Sequence, residues 1–268
     1  MEELADMVSC IPSVSVCIFR LDDKRSVRER LMTAAECFKT LGGSEMASSG
    51  METVECNMDT VTLEVGAELS KVESEFQDVD KWQINRTERG KPYFPNQPEL
   101  HFSISHSGDY WACAMADQPV GLDLQEHVRR KDETPESSAD RYCRMAKRFF
   151  HPWEAEYVRQ QDSYRRFFQI WSARESYVKY TGQGIDNHFG EFCVLPGRID
   201  LQEARVQKAG VRQAEERQAG VQNVSDDKAV TSWYALDTWF QEMKFAGDYT
   251  LCVCTQNVAS MDVREISL

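Results

Sequence analysis

Several features of an exported or membrane-spanning protein are missing from this chain. No apolar run reaches the roughly 20 residues that cross a bilayer, and the opening residues, MEELADMVSC, carry acids where a secretion signal needs positive charge. A soluble, cytoplasmic protein is therefore expected. Basic charge is also in short supply: the formal net charge is −13 over 268 residues, which argues against broad nucleic-acid binding, because neutralising a phosphate backbone needs a basic face. The nine cysteines show no paired metal-ligand spacing and are odd in number, so they read as reduced thiols. There is no Gly-x-Ser-x-Gly elbow and no Gly-x-x-x-x-Gly-Lys-Ser/Thr loop, which weighs against a serine hydrolase and excludes the phosphate cradle of P-loop enzymes.

What is present is an ordinary globular composition, 41% hydrophobic and 28% charged, in a chain long enough for one large domain or two small lobes. Val14 to Leu21 reads as a strand. Val27, Leu31, Ala34, Ala35, Phe38 and Leu41 follow at helical spacing, ending at Gly42 and Gly43. Residues 44–60 are small, polar and acidic and form an expected linker, and 61–81 are ambiguous between strand and helix. His101 to Ser107, Tyr110 to Ala116 and Val120 to Gln125 read as three successive strands. Asp140 to Gln161 and Ser163 to Tyr180 read as helices, the second stopped by Gly182-Gln183-Gly184. Short strands are expected around Phe192 to Leu195, Ser232 to Thr238 and Tyr249 to Thr255. Residues 202–222, QEARVQKAGVRQAEERQAGVQ, have almost no large apolar side chain, and a solvated insertion is expected over 202–230.

Three constellations carry chemistry. On the helix 163–180, Phe167, Phe168, Trp171 and Val178 form an apolar stripe with Glu175 in its middle and Lys179 beside it. A carboxylate there costs several kcal/mol, roughly, unless a cation compensates it. An intrahelical pair with Lys179, adding only about 0.3–0.5 kcal/mol if exposed, and a metal site are equally compatible with this helix alone. In Val120-Gly121-Leu122-Asp123-Leu124-Gln125, period 2 puts Asp123 and Gln125 on one face; a polar outer side is the commoner use of such alternation. Asp123 and Glu175 together would suit magnesium, which takes one or two protein carboxylates plus phosphates and water. His101-Phe102-Ser103-Ile104-Ser105-His106-Ser107, preceded by Gly90-Lys91-Pro92, offers hydroxyls, imidazole and a cation suited to phosphate oxygens.

In order and spacing, Gly90-Lys91-Pro92, the 101–107 segment, Val120-Gly121-Leu122-Asp123 and Trp171-Ser172-x-Arg174-Glu175-Ser176-x-x-Lys179 resemble the Sfp-type 4′-phosphopantetheinyl transferases. The resemblance runs from about Trp82 to Gly184. It implies an α+β fold of two pseudo-twofold-related lobes, here 1–118 and 119–268, with coenzyme A in the cleft between them. It implies transfer of phosphopantetheine from coenzyme A to a serine of an apo acyl or peptidyl carrier protein by a monomer, with release of adenosine 3′,5′-bisphosphate. By the same resemblance Asp123 and Glu175, with Gln125, would hold Mg²⁺ or Mn²⁺. Ser105 and His106 would meet coenzyme A phosphates, Lys91 and Pro92 the nucleotide, Lys179 the diphosphate and Arg25 the 3′-phosphate. Glu175, Lys179 and His106 would be the catalytic groups.

Two residues depart from the family pattern. Gln125 stands where a second acid is frequent on the strand, and Glu126 cannot replace it without a bulge, since it points to the opposite face. Arg174 stands where lysine is usual, at the edge of the stripe, and would alter any phosphate contact. Residues 129–166 hold ten Lys or Arg against seven Asp or Glu, and Arg141, Arg144, Lys147, Arg148, Arg165 and Arg166, with Phe149, Phe150 and Trp153, form a candidate docking surface for an acidic carrier or, equally, a solvated face with core aromatics. Rival readings are a coenzyme A or carrier-binding module without turnover, favoured by Gln125, and another metal-dependent enzyme acting on a diphosphate.

Overall fold

A computed structural model describes residues 12–40, 82–185, 188–196 and 230–266. The expected linker at 44–60, the ambiguous 61–81 segment and the insertion at 202–230, apart from Val230, lie outside these residues.

The elements in chain order are β1 (Ser13–Arg20), α1 (Val27–Thr40), β2 (Asn85–Arg86), β3 (Pro92–Tyr93), β4 (His101–Ser107), β5 (Tyr110–Ala116), β6 (Val120–Glu126), α2 (Pro135–Phe149), α3 (Pro152–Gln160), α4 (Ser163–Thr181), β7 (Val230–Ala235), β8 (Thr238–Phe245), β9 (Tyr249–Thr255) and β10 (Ser260–Ile266). One four-stranded sheet runs β10-β1-β5-β4 and the other β6-β9-β8-β7; an α+β fold results.

Four layers stack in a fixed order. Helix α1 covers the outer face of the first sheet, where Leu31, Ala34 and Phe38 meet Cys17, Phe19 and Trp111. The inner faces of the sheets meet each other, with Val14, Val16 and Ala114 against Leu122, Leu251 and Val253. Helices α2, α3 and α4 cover the outer face of the second sheet, where Phe167 and Ala173 pack with Phe240 and Cys252. Strands β1, β5 and β9 are covered on both sides, which is why their sequences are apolar runs and not clean alternations.

Strand β10 pairs in parallel with β1. A boundary at 118/119 therefore divides β5 from β6, but the last strand returns to the sheet of the N-terminal half. The helix expected over 140–161 is two helices broken at Phe150 and His151. Pro152 opens the second, where its missing N–H costs nothing, and His151 and Glu154 form a reciprocal capping box. Around Phe192 to Leu195 the chain forms no strand; the Val194 N–H instead donates to Glu154. Strands β8 and β10 carry no clear strand signal in the sequence. β8 buries Gln241 and Glu242, and β10 is a half-exposed edge strand with three charged residues.

Candidate active site

The site lies where the two sheets meet. Strands β4 and β6 are not paired through their backbones; hydroxyls join them. Ser103 Oγ accepts from Leu122 N–H at 2.9 Å, and Ser107 Oγ accepts from Glu126 N–H at 2.9 Å. Serines at alternate positions of β4 thus face the free edge of β6 and satisfy donors that an edge strand would otherwise leave open. The middle serine, Ser105, donates to Asp123 Oδ1 at 2.9 Å.

Gly121 explains how close the facing helix can come. A Cβ at that position would overlap the Ser176 carbonyl oxygen and the Tyr180 backbone of α4, so only glycine lets β6 lie directly on the helix. This approach puts Lys179 Nζ 2.8 Å from Asp123 Oδ1 and 3.0 Å from Ser105 Oγ. Lys179 therefore pairs across to β6 and not back to Glu175, which overturns the intrahelical pair. Asp123 is buried, and its Oδ2 has no hydrogen-bond partner among the described residues. A buried carboxylate oxygen without a donor calls for an explanation, a water or an ion among them.

Glu175 and Lys179 both line a cavity of ≈ 270 Å³ with Lys91, Pro92, Ser103 and Val178. The Glu175 carboxyl is pushed up to about 7, first by burial and then by the charge of Asp123, with Lys179 acting in the opposite sense. Arg86 and Arg89, which the sequence reading passed over, also line the cavity. The cavity wall thus carries four cationic side chains against one carboxylate, in a protein whose total charge is −13. Their signal was a basic cluster, Arg86 to Lys91, just before the Pro-Tyr pair.

The remaining candidates are placed less uniformly. Lys91 donates to the Tyr180 carbonyl at 2.8 Å and the Val120 carbonyl at 3.3 Å, and burial lowers its pKa to about 8. It caps the C-terminal end of α4 beside Gly182, which ends the helix in the left-handed conformation with φ 70°. His106 is exposed on β4, where period 2 puts it in line with Phe102 and Ile104, both cavity residues. Gln125 is half-buried, and its amide nitrogen donates to the Glu126 carbonyl at 3.0 Å. β6 and β9 pair without interruption from Val120 to Glu126, so there is no bulge, and Glu126 points instead toward Gly108 and Tyr249. Arg25 is ion-paired with Asp23 at 2.8 Å and stacked on Phe19, and it does not line the cavity.

One expectation is corrected. Arg174 is not at the rim of a phosphate site: it is fully buried and paired with Glu154. The apolar wheel misplaces it because α4 is covered by α2, α3 and the second sheet together, which widens its buried arc. Of the two readings of the 141–166 face, the core-aromatic one holds for Phe150, which is buried, and Arg141 is paired with Glu133. The exposed remainder of that surface is Arg144, Lys147, Arg148 and Phe149.

Residues 119–254 match the 4′-phosphopantetheinyl transferase superfamily. Among curated proteins, a 4′-phosphopantetheinyl transferase of Bacillus subtilis is 38% identical over 112 residues, covering 40% of this chain and 44% of the relative. The 4′-phosphopantetheinyl transferase psf-1 of Bacillus pumilus is 30% identical over 182 residues, 66% of this chain and 62% of the relative. The 4′-phosphopantetheinyl transferase HetI of Nostoc sp. is 36% identical over 104 residues, 36% of this chain and 40% of the relative. The chain thus spans about half the length of the curated relatives it matches.

Proposed function

The chain belongs to the 4′-phosphopantetheinyl transferase superfamily, and from that premise we propose that it transfers the phosphopantetheine arm of coenzyme A to a serine of an apo acyl or peptidyl carrier protein. The observation that carries this reading is the pair of carboxylates, Asp123 and Glu175, set with Lys179 beside a cationic cavity. A ligand with a diphosphate suits four cations and one acid. The relatives at 38%, 30% and 36% identity bear the name of this activity.

A divalent cation fits the donor set. Asp123 Oδ2 is buried without a hydrogen-bond partner among the described residues, and the Glu175 carboxyl is raised to about 7 by burial and then by the charge of Asp123, the situation that a cation relieves. Among the described residues no group of three or more His, Cys, Asp or Glu is gathered, so the protein would contribute two carboxylates, with Gln125 at most a neutral third donor. Bound Mg²⁺ or Mn²⁺ would supply charge neutralisation at the diphosphate. Asp123 and Glu175 would hold it.

The carrier serine oxygen forms a bond to the β-phosphorus while the bond from that phosphorus to the bridging oxygen breaks, and adenosine 3′,5′-bisphosphate leaves with the bridging oxygen. Lys179 and the cationic wall stabilise charge on the phosphoryl oxygens, the dominant need in this chemistry. The serine proton goes to a base; Glu175 is placed to take it directly or through a metal-bound water, although a carboxylate that holds the cation is a poor base, and its role as ligand comes first. The two helix-covered sheets, meeting at β4 and β6, support the reading of paired lobes with coenzyme A in the seam. His106, Arg25 and Pro92 are assigned to the nucleotide end, Ser105 to holding Asp123 and Lys179 in register with the phosphates. The enzyme is read as a cytoplasmic monomer without a nucleic-acid partner.

The experiment is a site-variant series in a coenzyme A consumption assay. Asp123→Asn and Lys179→Ala should each lower transfer by about a hundredfold or more while binding of an apo carrier persists. Wild-type turnover in Asp123→Asn would overturn the assignment.

A further inference from the structure

The residue immediately before Glu175 is the largest fully buried side chain among those described, and it is charged. Arg174 donates through Nη1 to Glu154 Oε2 and, at 2.9 Å, to the Phe192 carbonyl. Its guanidinium lies 4.2 Å from the ring centroid of Phe192 and 4.6 Å from that of Phe189. Its Nε and Nη2 have no hydrogen-bond acceptor among the described residues, so ring faces stand where oxygen acceptors would.

Glu154 is equally occupied. Oε2 also accepts from the His151 N–H at 3.0 Å, closing the cap of α3, and Oε1 accepts from the Val194 N–H at 2.8 Å. One ion pair thus fastens the first turn of α3, the middle of α4 and the 188–196 segment to each other. Stability alone does not account for it, since exchanging a buried ion pair for well-packed apolar residues is often neutral or stabilising. Direction does account for it. Successive residues on a helix are about 100° apart, so fixing Arg174 against Glu154 on one side fixes where Glu175 and Lys179 emerge on the other.

We infer that the Arg174–Glu154 pair is a positioning device that sets the rotation of α4 and so aims Glu175 and Lys179 into the cavity. The flat guanidinium lodged against Phe189 and Phe192 is what makes arginine, and not lysine, the residue that can do this here. The inference rests on the reading of Glu175 as a metal ligand in a transferase.

The test uses the full-length protein with coenzyme A and two variants. Arg174→Lys keeps the charge and loses the fork, and Arg174→Met combined with Glu154→Gln removes both charges. Circular dichroism and thermal unfolding establish that each is folded; the double variant leaves no unpaired buried charge and so covers the case in which Arg174→Lys does not fold. The readouts are the Mn²⁺ Kd, from the electron paramagnetic resonance signal of free Mn²⁺, and the separate KM values for Mg²⁺ and for carrier protein. The expected result in a folded variant is a Mn²⁺ Kd and a KM for Mg²⁺ raised roughly tenfold, the scale of losing an outer-shell partner, with the KM for carrier unchanged. A folded variant with wild-type Mn²⁺ affinity would show that the pair only packs the core, and failure of both variants to fold would show that it is a stability element and overturn the inference as well. If the wild-type protein itself bound no Mn²⁺ in the presence of coenzyme A and transferred nothing, the functional reading would fail instead.

Discussion

At the scale of single residues, the proposed chemistry rests on two carboxylates, one of which is paired with an ammonium. Lys179 is spent on Asp123, which leaves Glu175 half-buried with its carboxyl raised to about 7 by burial and by Asp123. Because its folded pKa lies above the ordinary value, the stabilising contribution of this group is complete below about 4.5 and is lost as pH climbs through about 7. Glu175→Gln removes that penalty. The variant should therefore melt no lower than wild type at pH 8 in calorimetry, while transfer falls by about a hundredfold or more. The same ionisation sets the acid limb of the pH profile. With limiting Mg²⁺, kcat/KM should fall as pH drops through roughly 7, and raising Mg²⁺ should move that limb to lower pH, because proton and cation compete for one carboxylate. A limb that ignores Mg²⁺ would separate Glu175 from the metal.

At the scale of elements, the β6–α4 contact decides the geometry, and Gly121 decides the contact. In Gly121→Ala the new methyl meets the backbone of α4 at Ser176 and Tyr180, which cannot rotate away as a side chain would. Destabilisation of about 3 kcal/mol or more is expected in urea unfolding, the upper range for overpacking, together with loss of transfer. The two elements that make this contact were readable from the sequence: period 2 over Val120 to Gln125 and helical spacing over Ser163 to Tyr180 mark them, and the shared face of Asp123 and Gln125 follows from the pleat. What surrounded them was not. The partners of the three β4 serines are set by the neighbouring strand edge, not by their own spacing, and hydroxyls that suit phosphate suit a backbone N–H equally well. The burial of Arg174 depends on Glu154 and Phe192, 20 and 18 residues away in the chain, and an apolar wheel has no place for a charge that the fold chooses to bury. The break at Pro152 did have a local sign, since the residue before a proline disfavours helix.

At the scale of the molecule, the two sheets are joined through an apolar interface and sealed at one side by Ser103 and Ser107. Replacing both with alanine leaves the Leu122 and Glu126 N–H groups without these acceptors. A loss of about 1–3 kcal/mol for each is expected in denaturant unfolding, with the second sheet parting from β4. Among the described residues no helix is long and apolar enough to cross a membrane, and the local excess of cations at the cavity, set in a chain of charge −13, is the feature that an anionic nucleotide ligand accounts for. The measurement that tests the central claim most directly is the intact mass of an apo acyl carrier protein after incubation with this protein, coenzyme A and Mg²⁺, alongside a sample containing EDTA. The account predicts a gain of one phosphopantetheine on the carrier that disappears with EDTA. An unchanged carrier mass across acyl and peptidyl carriers, from protein that demonstrably binds coenzyme A, would contradict it.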